Sequence, residues 1–290
     1  MGVQKVLGVE IGQNELKVAL VEPKRSKIIK IDTIPTSGNS MLDPTIYASV
    51  VSSWISSKVL PKVELVAVAF PANNCILRSI VIPKEAEDAE SYVDWEFASA
   101  INSSLSNYKL DTFFFPNQKK AERAVVSGLR RDIVDSFCSE ELEKSGFMPS
   151  NLMVDTFALF NLLECSEGLR GMKCVLKADE KFVSAFWADE KGPLALRVLP
   201  ADCISKKAIL NILESGFSEF PKMKRVVKLC GELTANAEFT AELIASAKNL
   251  RETLEISPWS TISKFSLEKG EEFSKLPQCL GAVGVTLSCV

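Results

Sequence analysis

Two stretches of this 290-residue chain repeat one outline, and that repetition limits the fold more than any other feature. In the first, KVLGVEIG (5–12) and LKVALVE (16–22) carry branched apolar residues in strand-like order on either side of a break. Gly12 and Asn14 supply turn chemistry there. After a turn at Pro23–Lys27, a third strand is predicted over Ile28–Ile34. The second stretch reads KCVLKAD (173–179), KFVSAFWAD (181–189) and LALRVLPA (194–201), with Gly192 and Pro193 at its second turn. Each is a three-strand meander. A structural echo without a residue-level repeat points to a duplicated lobe, and the length suits two cores better than one.

Between the meanders the periods change. Ile46, Val50, Trp54 and Ile55 fall at helical spacing after Asp43 and Pro44, so a helix is predicted over 44–58. VELVAVAF (63–70) suits a strand buried on both faces. The order βββαβ is that of an α/β fold with an open sheet. From Cys75 a βαββα block follows: CILRSIVIP, an acidic helix from Lys84 carrying Val93, Phe97 and Ile101 on one face, the hairpin YKLDTFFFP and ERAVVSGLR, and a helix closed by Gly146. We read it as a small subdomain, 75–147, inserted in a first lobe of 1–168. A strand over 149–155 and a helix over 156–165 return the chain to that lobe. The glycine-bearing segment 166–172 marks the boundary, and 169–290 forms the second lobe.

Composition removes whole classes of function. There is no histidine, so no Ser-His or Cys-His nucleophile exists and no His-based zinc site. Eight cysteines stand singly without a C-x-x-C pair, which suits a reducing compartment. A net charge of −3 gives no footprint for nucleic acid or an anionic membrane. The apolar runs fall short of the roughly 20 residues a membrane helix needs, and the amino terminus enters a strand pattern directly. A cytoplasmic protein touching membrane only indirectly is expected.

The run GVEIGQNELKVALVE is similar to the first phosphate loop of the actin, sugar-kinase and Hsp70 superfamily, in which Asp-x-Gly opens a hairpin and a lysine follows. Glu10, Gly12 and Lys17 hold those positions. AFP (69–71), ILRSIVIPKEAEDAESYVDWEFASAI (76–101), LRVLP, VVKLCG, EISPW and LGAVGV follow in order over nearly the whole chain. Together these landmarks resemble the PilM family of type IV pilus assembly proteins. The resemblance implies an actin-like (ribonuclease H-like) two-lobed fold, related to the cytoplasmic domain of type II secretion L proteins. It also implies a cytoplasmic scaffold at the inner face of the inner membrane, binding the N-terminal segment of a PilN-like bitopic protein and open to self-association.

That superfamily holds nucleotide with two glycine hairpins, magnesium-positioning carboxylates and a glycine pair beside adenosine. Here Gly12, Gln13, Asn14 and Lys17 keep the outline of the first hairpin as a residual phosphate site. The second reads Lys177-Ala178-Asp179, with lysine where the carboxylate belongs, and Gly231 is followed by Glu232. Only 201–224 separates the second meander from VVKLCG, room for one or two short helices. No cofactor, metal site or catalytic residue is therefore expected, with an active ATP- and Mg-dependent protein as the alternative. A tight turn with solvent-facing charge also accounts for Glu10, Gly12 and Lys17. Arg78, Trp95, Phe113 and Phe115 are candidates for partner binding, since three consecutive aromatics cannot share one strand face; core packing is the competing reading for each.

Overall fold

A computed structural model describes residues 4–12, 14–36, 43–58, 60–101, 103–115, 122–167, 173–189, 192–218, 225–250, 254–268 and 273–289. The chain opens with β1 (Val6–Ile11), β2 (Glu15–Glu22) and β3 (Lys27–Pro35), then α1 (Pro44–Lys58) and β4 (Leu65–Phe70). β5 (Cys75–Val81), α2 (Ala89–Ile101), β6 (Tyr108–Phe115), β7 (Arg123–Arg130), α3 (Arg131–Phe137) and α4 (Glu140–Ser145) come next. β8 (Asn151–Val154) and α5 (Asp155–Glu167) lead to β9 (Lys173–Ala178), β10 (Phe182–Asp189), β11 (Gly192–Pro200) and α6 (Lys206–Ser218). Last are β12 (Arg225–Cys230), α7 (Ala237–Leu250), β13 (Leu254–Pro258), β14 (Ser266–Leu267) and α8 (Leu280–Thr286).

Two sheets share one topology. The first runs β14-β3-β2-β1-β4-β8 and the second β11-β10-β9-β12-β13. In each, an antiparallel meander carries its first strand at the centre, and two parallel strands continue beyond it. The duplicated meander read from sequence is thus a duplicated sheet. Parallel strands buried on both faces need near-continuous apolar runs; β4, LVAVAF, has five of six residues buried. A third sheet, β5-β7-β6, stands apart under α2 with a core of Ile80, Val93, Phe97, Ala124 and Val126.

Several boundaries move. The acidic run does not begin α2 at Lys84: Asp88 accepts hydrogen bonds from the Glu90 and Ser91 amides and caps a helix that starts at Ala89. The helical end of the 75–147 block bridges two units: α3 touches β6 and β7, while Phe137 and Leu142 join the core under β1, β2 and β4. Among the described residues between 201 and the strand at 225, the α-helix is α6. Assigning all of 169–290 to the second lobe needs correction. β14 pairs with β3, and α8 is buried from Leu280 to Thr286 against α5, β1, β2 and β4, so the C-terminal segment returns to the first sheet. The boundary segment itself, from 168 to 172, lies outside the described residues.

That return is fastened at Asp32 on β3. Its carboxylate accepts from Trp54 Nε1 (3.1 Å) and from Lys275 Nζ (2.9 Å), and pairs with Lys58 (3.4 Å). Partial burial pushes the carboxyl up, but the Lys275 and Trp54 hydrogen bonds outweigh it and hold the group near about 2. A depressed acid stabilises above its unfolded value and loses that contribution as pH falls. Asp32→Ala should therefore cost about 1–3 kcal/mol at pH 7. In urea titrations the gap from the parent should close between about pH 4 and pH 2.

Candidate functional site

The turns that follow β1 and β9 meet between the two sheets, where Asn14 Nδ2 donates to Glu180 Oε2 (3.4 Å). The first turn closes with the Gly12 amide donating to the Glu15 carbonyl (2.9 Å), the second with the Asp179 amide donating to the Phe182 carbonyl (3.0 Å). A Cβ at Gly12 would lie 2.6 Å from the Glu15 carbonyl oxygen and 3.0 Å from Glu232 Oε1. Close approach therefore requires glycine there. Gly231 has a left-handed φ of 99°. This conformation turns β12 so that the Glu232 amide donates to Asp179 Oδ1 (2.9 Å).

Below the turns lies a buried charge cluster. Glu10 and Lys17 are direct cross-strand partners in the β1–β2 register, and Lys17 Nζ sits 3.1 Å from Glu10 Oε1. The same ammonium reaches Asp179 Oδ1 (3.2 Å) and Glu232 Oε1 (3.3 Å) on the second-sheet side. Lys177, on β9, reaches the other way, to Glu10 Oε1 (2.6 Å) and to Asp155 at the start of α5, and also pairs with Asp179 Oδ2 (3.0 Å). Each lysine crosses from its own sheet to carboxylates of the other. Both lysines, Glu10 and Asp155 are fully buried or nearly so.

The field inside this cluster follows from burial and pairing. Burial disfavours the Lys17 ammonium, yet Asp179 and Glu10 outweigh it and raise its pKa; Asp155 and Asp179 do the same for Lys177. Burial also pushes Asp179 up, but Lys17 and Lys177 hold it down to about 2. Asp155 goes the other way: burial raises it more than Lys177 lowers it, with Glu10 adding repulsion. Two fixed ammoniums thus stand among four carboxylates.

At the mouth, a cavity of about 370 Å³ is lined by Asn14, Glu15, Glu180, Glu232, Ala235 and Gln278. Glu15 is pushed up to about 7, first by burial, against the pull of Lys17, with repulsion from Glu232 and Glu10 added. Between about 4.5 and 7 the folded chain keeps a proton that the unfolded chain has released, so stability falls as pH rises through that window. Glu15→Gln should raise the melting temperature at pH 8 and leave it unchanged at pH 4.5, as differential scanning fluorimetry would read.

Glu10, Asp155 and Asp179 present carboxylate oxygens within 4.8 Å of one another, the donor set of a divalent cation. The group does not fit here, because the Lys177 ammonium bonds to all three carboxylates and occupies the cation's place. Phosphate fits no better, since Glu15, Glu180 and Glu232 face the mouth and a Glu232 oxygen lies against Gly12.

Gly12, Asn14 and Lys17 converge in this cleft, and Gln13 lies outside the described residues. Lys17 faces inward as a buried ion-pair partner, not outward towards solvent. Asp155 and Glu15 were not singled out from sequence. The one available signal for Asp155 was a lone carboxylate between the apolar runs NLMV and FALF. The partner candidates separate. Trp95 is 61% exposed on α2 beside Tyr92, and Arg78 is exposed on β5, whereas the Phe113 ring packs at a tilt against Phe157 of α5, with centroids 4.6 Å apart, on the opposite face of the small sheet. Phe115 pairs with Arg123, and its side chain lies outside what is described.

No protein-family model and no curated protein matches the chain. Solved structures do. The PilM–PilN type IV pilus biogenesis complex superposes with a TM-score of 0.75 at 18% identity, covering 99% of each chain. A Bacteroides thetaiotaomicron protein of actin-like ATPase fold and unknown function gives 0.56 at 11% identity, covering 88% and 91%. The cytoplasmic domain of EpsL, an inner-membrane component of the Vibrio cholerae type II secretion system, gives 0.54 at 12%, covering 98% and 95%. The fold is the actin-like ATPase fold, as the sequence landmarks implied.

Proposed function

We propose that this chain is a PilM-like scaffold of a type IV pilus or related type II secretion platform. It works at the cytoplasmic face of the inner membrane and binds the N-terminal segment of a PilN-like bitopic partner. The observation that carries this reading is the cleft itself: two lysines close it with ion pairs where a nucleotide-dependent relative would need open, cation-ready carboxylates. A lobe arrangement held by its own side chains suits a constant docking platform better than a hydrolytic cycle. The likeness to a PilM–PilN complex over 99% of both chains supports the partner class. In this reading the PilN-like partner supplies the membrane anchor; no helix of the described residues is long and apolar enough to cross a membrane. Exposed Arg78 and Trp95 belong to the docking surface, and Phe113 supports the joint beneath it.

Two titrations test this. A synthetic peptide copying the cytoplasmic N-terminal segment of a PilN-like bitopic protein should bind with at least micromolar affinity, weakened by Trp95→Ala; no binding at high micromolar concentration rejects the scaffold reading. Mg-ATP at millimolar concentration should leave the melting temperature unchanged. A ligand held at 100 times its Kd adds about 2.7 kcal/mol of stability, so a clear upward shift would establish the ATP-binding alternative instead.

A further inference from the structure

We propose that the groove between α2 and the open edge of β6 docks an extended, basic segment of a partner protein, which joins the small sheet as a fourth strand. In the order β5-β7-β6, β5 lies against β11 of the second sheet, while β6 has no strand beyond it among the described residues. Natural edges are usually blunted by charge, proline or a bulge. This one carries Lys109 and Asp111 in its first half, but its second half, Thr112–Phe115, is uncharged, and the strand pairs without a bulge with β7 from Tyr108 to Phe115. It is a template for strand addition.

Beside that edge a groove of about 490 Å³ has Val93, Leu105, Leu110 and Phe114 as its apolar lining and Glu90, Asp94 and Asp111 as its carboxylates. No lysine or arginine lines it among the described residues. Exposed Glu87 and Asp88, just before α2, extend the negative approach. An added strand alternates its side chains, so lysine or arginine can meet the carboxylates while apolar residues cover Leu110 and Phe114. Charge complementarity chooses a basic occupant over an acidic or neutral one. The PilN-like peptide reading above places its occupant by Arg78 and Trp95, so this groove is independent of it and its failure would leave that reading standing.

Fluorescence anisotropy on the full chain decides the matter, with a labelled peptide of alternating lysine and valine as long as β6. Two controls accompany it: alternating glutamate and valine, and a lysine-valine copy N-methylated at alternate positions. The lysine-valine peptide should bind, the glutamate copy should not, and N-methylation should abolish binding because a methylated amide cannot donate to the edge. Asp94→Lys with Asp111→Lys should weaken binding about tenfold or more, and the milder Asp94→Asn with Asp111→Asn should weaken it less with an unchanged melting temperature. Glu140→Lys with Glu141→Lys, on α4, should change nothing. Equal binding of the N-methylated copy, an equal loss from the α4 reversal, or no binding at millimolar peptide would each overturn the proposal.

Discussion

Lys177→Met is expected to lower the free energy of unfolding by about 3–5 kcal/mol, because it strips the compensating charge from a buried cluster. Glu10 and Asp179 would then share Lys17 alone, together with Glu232, and Asp155 would keep no ion pair in the described structure. The companion substitution Asp155→Leu in the same chain should return part of the loss, since it removes the carboxylate left unpaired and replaces an ion pair by apolar volume. Urea unfolding of the parent, the single and the double variant measures both steps. A cost below about 1 kcal/mol for the single change, the range of an exposed pair, would show that the cluster is wet and the cleft open. The Mg²⁺ response gives an independent readout: the parent should not respond to millimolar Mg²⁺, whereas the Lys177→Met chain, with three carboxylates released, should be stabilised by it.

A chain ending before Ser266 should fail to fold cooperatively, an effect larger than that of any substitution above. Leu280, Val283 and Val285 of α8 are completely buried, and each contributes roughly 1.5–3 kcal/mol of apolar burial. Their sum approaches the roughly 5–15 kcal/mol that holds a whole domain together. Contacts of α8 with β1 are so close that a Cβ at Gly8 would lie under 2 Å from the Ala282 carbonyl oxygen. Removal would expose β1, β4 and α5, the elements that carry Glu10 and Asp155. Circular dichroism with thermal melting reads the outcome, and a truncated chain that retains a sharp transition near the parent's would show that the first sheet stands without its C-terminal helix.

Much of the fold was legible before any coordinates, because it is written in local patterns. Alternation with a glycine turn is a property of a dozen neighbouring residues, so both meanders, the helix at 44–58 and the buried strand at 65–70 could be read directly. The helix Ala237–Leu250 was not read, although Phe239, Leu243, Ile244 and Ala247 face the second core at helical spacing. The short α8 was hidden for a different reason. LGAVGVT is apolar all round, and a run of that kind has no period from which to tell helix from strand.

The site divides along the same line. The sequence alone determined that Gly12 sits at a tight turn, that Gly231 is followed by Glu232, that lysine stands at 177 where the resemblance expects a carboxylate, and that no histidine chemistry is available. Those are identities and short spacings, decided within a few bonds. Only the tertiary structure decided that Lys17 and Lys177 reach across to each other's sheets, that Asp155 receives one of them, and that the last residues of the chain return to the first sheet. The cross-sheet contacts join positions 162, 167 and more than 230 residues apart, the Lys177–Asp155 pair joins positions 22 apart, and no local pattern encodes a distance closed by the packing of two sheets. An ion pair buried between lobes has its energy only once the lobes exclude water, so the sequence supplies its charges and the fold supplies its strength.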